Sequence, residues 1–267
     1  MYDFAYHRPK TLAEATAALK GKPEARAMSG GMTLIPTLKQ RLAKPSDVVD
    51  LNGIKDLAGI KVDGAGVTIG GMTRHADVAS SADVKKAIPG LSHLANHIGD
   101  PQVRNRGTIG GSVANNDPAA DYPAAVLALG ATITTTSRTI AADDFFKGLF
   151  ETALEDGELI TSISFPKADK TGYMKFPNPA SRYAMVGVFV ADHGGGNVRV
   201  AVTGAGPCVF RQRDMEAALA RSFTPDAVKG IGTDAANLNS DIHASADYRA
   251  HLVGVMARRA VEAALAG

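Results

Sequence analysis

The stretch Arg106–Ala125, RGTIGGSVANNDPAADYPAA, decides how this chain is interpreted. Two adjacent glycines, Gly110 and Gly111, follow a Thr-Ile pair, and a polar run leads from Ser112 to a predicted helix that begins after Asp121. Glycine lets an anionic oxygen approach backbone N–H groups to about 3 Å, whereas a Cβ would often obstruct that approach. The stretch therefore predicts a site for a phosphate group.

A second glycine pair lies in Met28–Thr33, MSGGMT, between a predicted strand at Ala25–Met28 and a predicted helix at Leu34–Leu42. Its amides can point at a phosphate near the helix N-terminus. Neither stretch has the spacing of a P-loop or a Rossmann turn. One glycine pair is more often an ordinary turn, but two next to strands favour a dinucleotide site of another architecture. Asn115 and Asp121 add an amide and an acceptor of the kind that bind ribose or adenine.

Composition narrows the class of protein. The chain has 267 residues, 45% of them hydrophobic and 21% charged, which fits one large globular domain or two modest ones. A net charge of +2 with scattered Lys and Arg argues against nucleic-acid binding. The single cysteine, Cys208, excludes an internal disulfide and an iron–sulfur cluster on this chain. With no signal pattern and no apolar run near ~18 residues, we expect no membrane span and a cytoplasmic protein.

A polar linker at 167–172 divides the chain into two regions of different character. Before it, short strands alternate with helical segments, including a helical pattern over 73–98 that is broken at Pro89-Gly90. After it, strands at 173–176, 185–192 and 198–203 precede helices, one starting at Thr224 and another spanning Ala246–Ala266. Strands followed by segregated helices predict an α+β fold.

As whole strings, both glycine loops resemble one family. SGGMTLIPTLKQRL and GDPQVRNRGTIGGSVANNDPAADYPAAVLALGATI are similar to the two FAD loops of the flavin-binding medium subunit of molybdenum hydroxylases, the xanthine dehydrogenase and aerobic carbon monoxide dehydrogenase group. The resemblance covers nearly the whole chain and is strongest to the carbon monoxide dehydrogenase branch. It implies an α+β fold with an FAD-binding domain (1–170) of two α+β subdomains, about 1–57 and 58–170. A small C-terminal α+β domain (171–267) with an antiparallel sheet and helices would follow.

The resemblance also assigns roles to individual positions. Both loops would clasp the FAD pyrophosphate, Asp121 would bind the adenosine ribose, Lys175 would lie near the flavin end, and Tyr183 would cover the isoalloxazine ring. Two residues depart from the family pattern. The family often has Asn where this chain has Ser112, and a polar residue where this chain has Met32. With Asn115, the full set of expected cofactor-binding residues is Ala27, Met28, Ser29, Gly30, Gly31, Met32, Thr33, Leu34, Ile98, Thr108, Ile109, Gly110, Gly111, Ser112, Asn115, Asp121, Ile160, Lys175 and Tyr183.

The function implied is that of an FAD-binding electron-transfer subunit. Substrate would be oxidised at a molybdopterin centre on a large partner subunit, and electrons would pass through 2Fe-2S clusters on a small partner subunit to FAD here. The complex would be a dimer of heterotrimers with quinone, NAD or oxygen as acceptor. Its substrate stays open between carbon monoxide, an aldehyde and an N-heterocycle. No catalytic side chain and no metal are expected on this chain.

Alternatives remain at this point. A flavin-free partner-binding subunit and a stand-alone flavin oxidase are both compatible with the fold. Arg104 and Arg106 either screen the pyrophosphate charge or pair with a neighbouring subunit.

Overall fold

The structure, a computed structural model, describes residues 1–267 and begins with a three-stranded parallel sheet. Its strand order is β1-β3-β2. The elements are β1 (Ala5–His7), α1 (Leu12–Leu19), β2 (Arg26–Met28), α2 (Leu34–Lys39) and β3 (Asp47–Asp50). Thr11 caps α1, because its hydroxyl accepts a hydrogen bond from the Glu14 amide at 3.2 Å. Helix α2 ends three residues before the predicted Leu42, and Arg41 has left-handed backbone with φ of 60°.

The middle of the chain forms a five-stranded antiparallel sheet in the order β4-β5-β10-β6-β7, with a separate hairpin of β8 and β9. The strands are β4 (Ile60–Val62), β5 (Gly66–Gly70), β6 (Thr132–Thr135), β7 (Thr139–Ala141), β8 (Phe146–Gly148), β9 (Glu151–Thr152) and β10 (Ile160–Pro166). The helices are α3 (His75–Ser80), α4 (Ala82–Ala87), α5 (Pro89–Asn96), α6 (Pro101–Arg104), α7 (Ile109–Asn115), α8 (Tyr122–Ala128) and α9 (Ala142–Phe145).

The helical pattern predicted over 73–98 is three short helices. Ser81 ends α3 and its hydroxyl accepts a hydrogen bond from the Val84 amide, so it caps α4. Pro89 then begins α5, where its missing N–H needs no partner. Strands β4 and β5 pair antiparallel and form a hairpin whose turn includes Asp63.

The last part of the chain is a four-stranded antiparallel sheet covered by helices. It comprises β11 (Lys170–Pro177), β12 (Ala184–Asp192), β13 (Val198–Thr203), β14 (Phe210–Arg211), α10 (Arg213–Arg221) and α11 (Ala246–Ala266). The prediction of a helix that starts at Thr224 is wrong. Residues Pro225–Val228 form a single 3-10 turn, and the Thr224 side chain makes no capping hydrogen bond.

Two apolar clusters bury both faces of this last sheet. A 30-residue cluster joins one face, through Tyr173 and Phe189, to the five-stranded sheet and its helices. A 16-residue cluster packs the other face against α10 and α11. This explains the unbroken apolar run of β12, whose residues are buried from Ala184 to Ala191. None of the helices combines the length and the apolar character needed to span a bilayer.

Candidate cofactor-binding site

A cavity of about 540 Å³ lies where the N-terminal sheet, helix α7, strand β10 and the loop after β11 meet. This volume is within the range of about 300–1,000 Å³ that ligand pockets occupy. Every residue predicted to bind cofactor lines this cavity except Ile109 and Lys175. The structure thus brings together two glycine loops that are about 80 residues apart in the chain.

The first loop offers unpaired backbone donors. The amides of residues 29 to 33 donate no hydrogen bond within the chain, although they follow directly on strand β2. Gly31 has φ of 73°, the left-handed conformation that glycine adopts without strain. Successive amides in such a turn form a concave anion-binding surface. The loop therefore fits an anionic group such as a diphosphate.

The second loop differs from the sequence-based prediction. The Ile109 amide donates to the Thr73 carbonyl at 3.0 Å, and the Gly110 amide donates to the Gly71 carbonyl at 2.9 Å. The Gly111 amide donates to the Thr108 hydroxyl, which caps α7. These amides are occupied, and the Ile109 side chain is fully buried in the core. The prediction that the backbone amides of this loop bind a phosphate is therefore wrong.

What the second loop presents instead is side chains. The hydroxyl of Ser112 and the amide of Asn115 border the cavity and make no side-chain hydrogen bond within the chain. The Thr108 hydroxyl donates to the Ser29 hydroxyl at 3.0 Å, which leaves the Ser29 proton free for a further acceptor. Hydroxyl and amide groups from the second loop therefore face the backbone donors of the first.

Glycines let the two loops touch each other. A Cβ on Gly30 would overlap the Arg106 carbonyl and lie 2.7 Å from the Gly107 Cα. A Cβ on Gly111 would overlap the Ser29 hydroxyl. The glycine pairs therefore allow the two loops to approach each other closely, whereas the sequence predicted that they allow a phosphate to approach the backbone.

Asp121 and Lys175 form a buried ion pair at one wall of the cavity. Lys175 Nζ lies 2.9 Å from Asp121 Oδ1, and both side chains are only 4% exposed. The Tyr173 hydroxyl donates to the same carboxylate, and Lys175 also donates to the His97 carbonyl at 3.0 Å. Burial raises the pKa of Asp121, while Lys175 and the Tyr173 hydroxyl act in the opposite direction. Lys175 meets the cavity only through Asp121.

The contact between Asp121 and Lys175 bears on the roles that the sequence predicts for these two residues. Asp121 is predicted at the adenosine ribose and Lys175 near the flavin end, but the structure joins them directly. The neighbouring Ile98 follows His97, whose carbonyl binds Lys175, and Ile98 also lines the cavity. Asp121 is therefore in direct contact with Lys175, the residue predicted near the flavin end.

Tyr183 borders the cavity from a tight loop. Its side chain is 46% exposed, and the loop is closed by Asn178, whose side-chain oxygen accepts hydrogen bonds from the Ala180 and Ser181 amides. Arg182 has left-handed backbone with φ of 62°. An exposed ring at the rim of a cavity is free to cover a flat ligand.

The cavity lining also includes residues outside the predicted set, His75 and Asp117 among them. His75 is buried, and this burial, followed by the nearby Arg104 charge, lowers its pKa to about 4. Burial also raises the pKa of Asp117, against the opposing Ala119 amide. Asp117 lies within the opening stretch and could have been noticed, whereas the approach of His75 to the second loop depends on tertiary contacts. Arg104 itself donates to the Ile98 and Gly99 carbonyls and so fixes the turn before α6.

Two family models match the chain. One, described as the FAD binding domain in molybdopterin dehydrogenase, matches residues 2–168, and the other, the CO dehydrogenase flavoprotein C-terminal domain, matches residues 172–264. The chain belongs to the FAD-binding medium subunits of molybdenum hydroxylases. This medium subunit is 38% identical to the glyceraldehyde dehydrogenase medium chain of Sulfolobus acidocaldarius, over 97% of both chains.

Other relatives agree with this assignment. The medium subunit is 37% identical to the carbon monoxide dehydrogenase medium chain of Hydrogenophaga pseudoflava, over 98% of this chain and 97% of the relative. A chain of the reconstituted CO dehydrogenase from Oligotropha carboxidovorans superposes with a TM-score of 0.90 at 35% identity, covering 99% of this chain and 98% of that one. The predicted family, α+β fold class and FAD cofactor are confirmed.

The chain is therefore an FAD-binding electron-transfer subunit of a multi-subunit oxidoreductase. A flavin-free subunit and a stand-alone oxidase are not favoured. When bound, FAD supplies the redox chemistry, namely uptake and release of electrons. The residues of this chain bind the cofactor, orient it and exclude water from it.

Proposed function

We propose that the unpaired amides of residues 29 to 33 hold the FAD pyrophosphate. One observation carries this proposal: five consecutive N–H groups without an acceptor open onto a cavity of suitable volume. The free protons of the Ser29 and Ser112 hydroxyls would complete the site from the side. Backbone and hydroxyl donors of this kind stabilise phosphate oxygens without needing a basic side chain.

We propose further that Asp121 serves the flavin end and not the ribose. Its direct contact with Lys175 supports this reassignment. Ile160 would contribute apolar surface along the cofactor, Asn115 would bind polar atoms, and Tyr183 would cover the isoalloxazine ring. With domains 1–170 and 171–267, FAD would lie between the two subdomains of the first domain, and the C-terminal domain would reach it only through the loop at 181–183.

The proposed partners are an iron–sulfur small subunit and a molybdenum large subunit in a dimer of heterotrimers. The relatives are named medium chains, and one free cysteine cannot supply the four ligands of a 2Fe-2S cluster. Electrons would leave FAD for quinone, NAD or oxygen. A single unpaired cysteine also fits a reducing compartment, for which we propose the cytoplasm.

The pyrophosphate assignment is tested at Met32, whose amide belongs to the first loop and whose side chain is 38% exposed. Met32→Glu places a negative charge beside the proposed diphosphate without burying it. Two like charges about 6 Å apart repel by about 0.7–3 kcal/mol at an effective dielectric constant of ~20–80. We therefore expect FAD affinity to fall by roughly tenfold, with Met32→Gln as the uncharged control of equal size.

Affinity is measured by quenching of FAD fluorescence during titration with the full-length chain. Circular dichroism and the unfolding temperature establish that both variants fold. If the Glu and Gln variants both bind FAD as tightly as the original chain, the diphosphate lies elsewhere. If both variants lose the same affinity relative to the original chain, the effect comes from the methionine side chain and not from charge.

A further inference from the structure

Unsatisfied polar atoms are rare in this chain, and two of them are neighbours. Only three buried side-chain nitrogen or oxygen atoms lack a hydrogen-bond partner, namely His75 Nδ1, Tyr122 Oη and Arg249 Nε. The rings of His75 and Tyr122 lie side by side, with centroids 5.3 Å apart and an interplanar angle of 48°. An enclosed polar atom without a partner costs about 1–3 kcal/mol, so two together require an explanation.

His75 lies in the wall of the cofactor cavity. Tyr122 does not line the cavity but directly follows the cavity-lining Asp121 in the chain. A Cβ on Gly107, in the approach to the second loop, would lie 2.5 Å from His75 Nε2, so this edge of the imidazole packs against the loop. Nε2 has no partner in the chain and is not among the enclosed atoms. The ring therefore presents Nε2 on the cavity side, while Nδ1 is sealed inside.

The imidazole is uncharged at neutral pH, because burial and the Arg104 charge keep its pKa near 4. A neutral imidazole has one donor nitrogen and one acceptor nitrogen, and the partner of one nitrogen sets the tautomer. The Tyr122 hydroxyl is another enclosed group without a partner, and its ring is the aromatic neighbour of the imidazole.

We propose that His75 is a positioning residue for FAD, which contacts the bound cofactor through Nε2 while the Tyr122 hydroxyl fixes the ring through Nδ1. The contact is uncharged, because the imidazole is neutral. A positive charge in its place would stabilise the electron-rich reduced cofactor, so a neutral side chain at this position keeps the flavin midpoint potential lower than a lysine would.

The test compares His75→Leu with His75→Gln in the full-length chain. His75→Leu removes both nitrogens, and we expect FAD affinity to fall by about tenfold and the flavin absorption bands to shift. His75→Gln keeps an uncharged polar group, and we expect it to restore affinity to within about threefold of the original chain. His75→Lys should raise the flavin midpoint potential. Normal affinity, spectrum and potential in folded His75→Leu would overturn the proposal.

Tyr122→Phe provides a second, conservative variant. It removes an unsatisfied hydroxyl, so it should raise the unfolding temperature of the FAD-free chain. If the hydroxyl orients His75, the same variant should bind FAD several-fold more weakly and gain less stability with FAD than without it. In a His75→Leu background it should have no further effect on affinity. Equal stabilisation with and without FAD would overturn the role of Tyr122.

This proposal rests on FAD binding in the cavity. The proposed binding site and the proposed role of His75 can be told apart experimentally. If the binding site is wrong, the unaltered chain does not bind FAD in this cavity. Failure of the His75 role would leave that binding intact and insensitive to the variants.

Discussion

The ion pair between Asp121 and Lys175 makes a quantitative prediction about stability. Lys175→Met keeps most of the aliphatic volume but leaves a buried carboxylate without its cation. Removing one partner of a buried pair costs about 3–5 kcal/mol, since the remaining charge stays out of water. At about 2–4 °C per kcal/mol for a chain of this size, the unfolding temperature should fall by roughly 6–20 °C.

The magnitude should depend on pH with a definite sign. Burial raises the pKa of Asp121, and loss of Lys175 removes the strongest opposing influence. A carboxyl group whose pKa is higher in the folded state destabilises the fold once pH exceeds the unfolded value of about 3.9. Acidification protonates the unpaired carboxyl and relieves the cost. The deficit of Lys175→Met should therefore be larger at pH 8 than at pH 5.

Urea unfolding of the FAD-free chain, followed by circular dichroism, measures this deficit. Lys170→Met is the matched control, because Lys170 pairs with Asp192 at 3.6 Å while 41% exposed, and such a pair contributes at most about 1 kcal/mol. The double variant Asp121→Asn/Lys175→Met should recover much of the lost stability. A deficit below about 1 kcal/mol, or a double variant no better than the sum of the single ones, would refute this reasoning.

Two further predictions concern stability. Gly254 lies inside α11 and a Cβ there meets nothing within 4 Å, so Gly254→Ala should raise the free energy of unfolding by about 0.5–1 kcal/mol. Gly172→Ala should instead lower the free energy of unfolding, because its Cβ would overlap the Ala260 carbonyl. Equal effects of the two variants would contradict the packing of β11 on α11. Arg138→Met should lower the free energy of unfolding at pH 7, because Arg138 donates two hydrogen bonds of 3.1 Å to Glu158, whose side chain is 2% exposed. Thermal unfolding checks both, and an unchanged midpoint for Arg138→Met would show that Glu158 is satisfied by its other donors.

The sequence predicted what depends on local patterns. Glycine pairs after β2 and in the first turn of α7 located both loops of the cavity, and apolar runs indicated the strands of the last sheet. Whole-string resemblance added FAD, which glycine spacing alone could not provide. These features are local or nearly so, and they follow from residue type.

Features that depend on distant contacts were missed or misjudged. The amides of Ile109 and Gly110 are taken by carbonyls of Thr73 and Gly71, which lie more than 30 residues earlier, so the second loop lost its predicted role as an amide cradle. The contact between Asp121 and Lys175 was missed, because nothing in the sequence joins these two residues. His75 gave no signal, because its burial depends on how α3 packs against the second loop.

Exchange of C-terminal domains between relatives meets an obstacle in the 30-residue core cluster. Tyr173 and Phe189 of the last sheet pack into the same core as α5 and α8, and the Thr171 hydroxyl accepts a buried hydrogen bond from the Gly90 amide at 3.0 Å. Tyr173 also holds Asp121 at the cavity wall. A hybrid assembled near residue 170 would have to match side chains on both sides of that seam, so the whole chain is the unit in which this cofactor site can be inherited or transplanted.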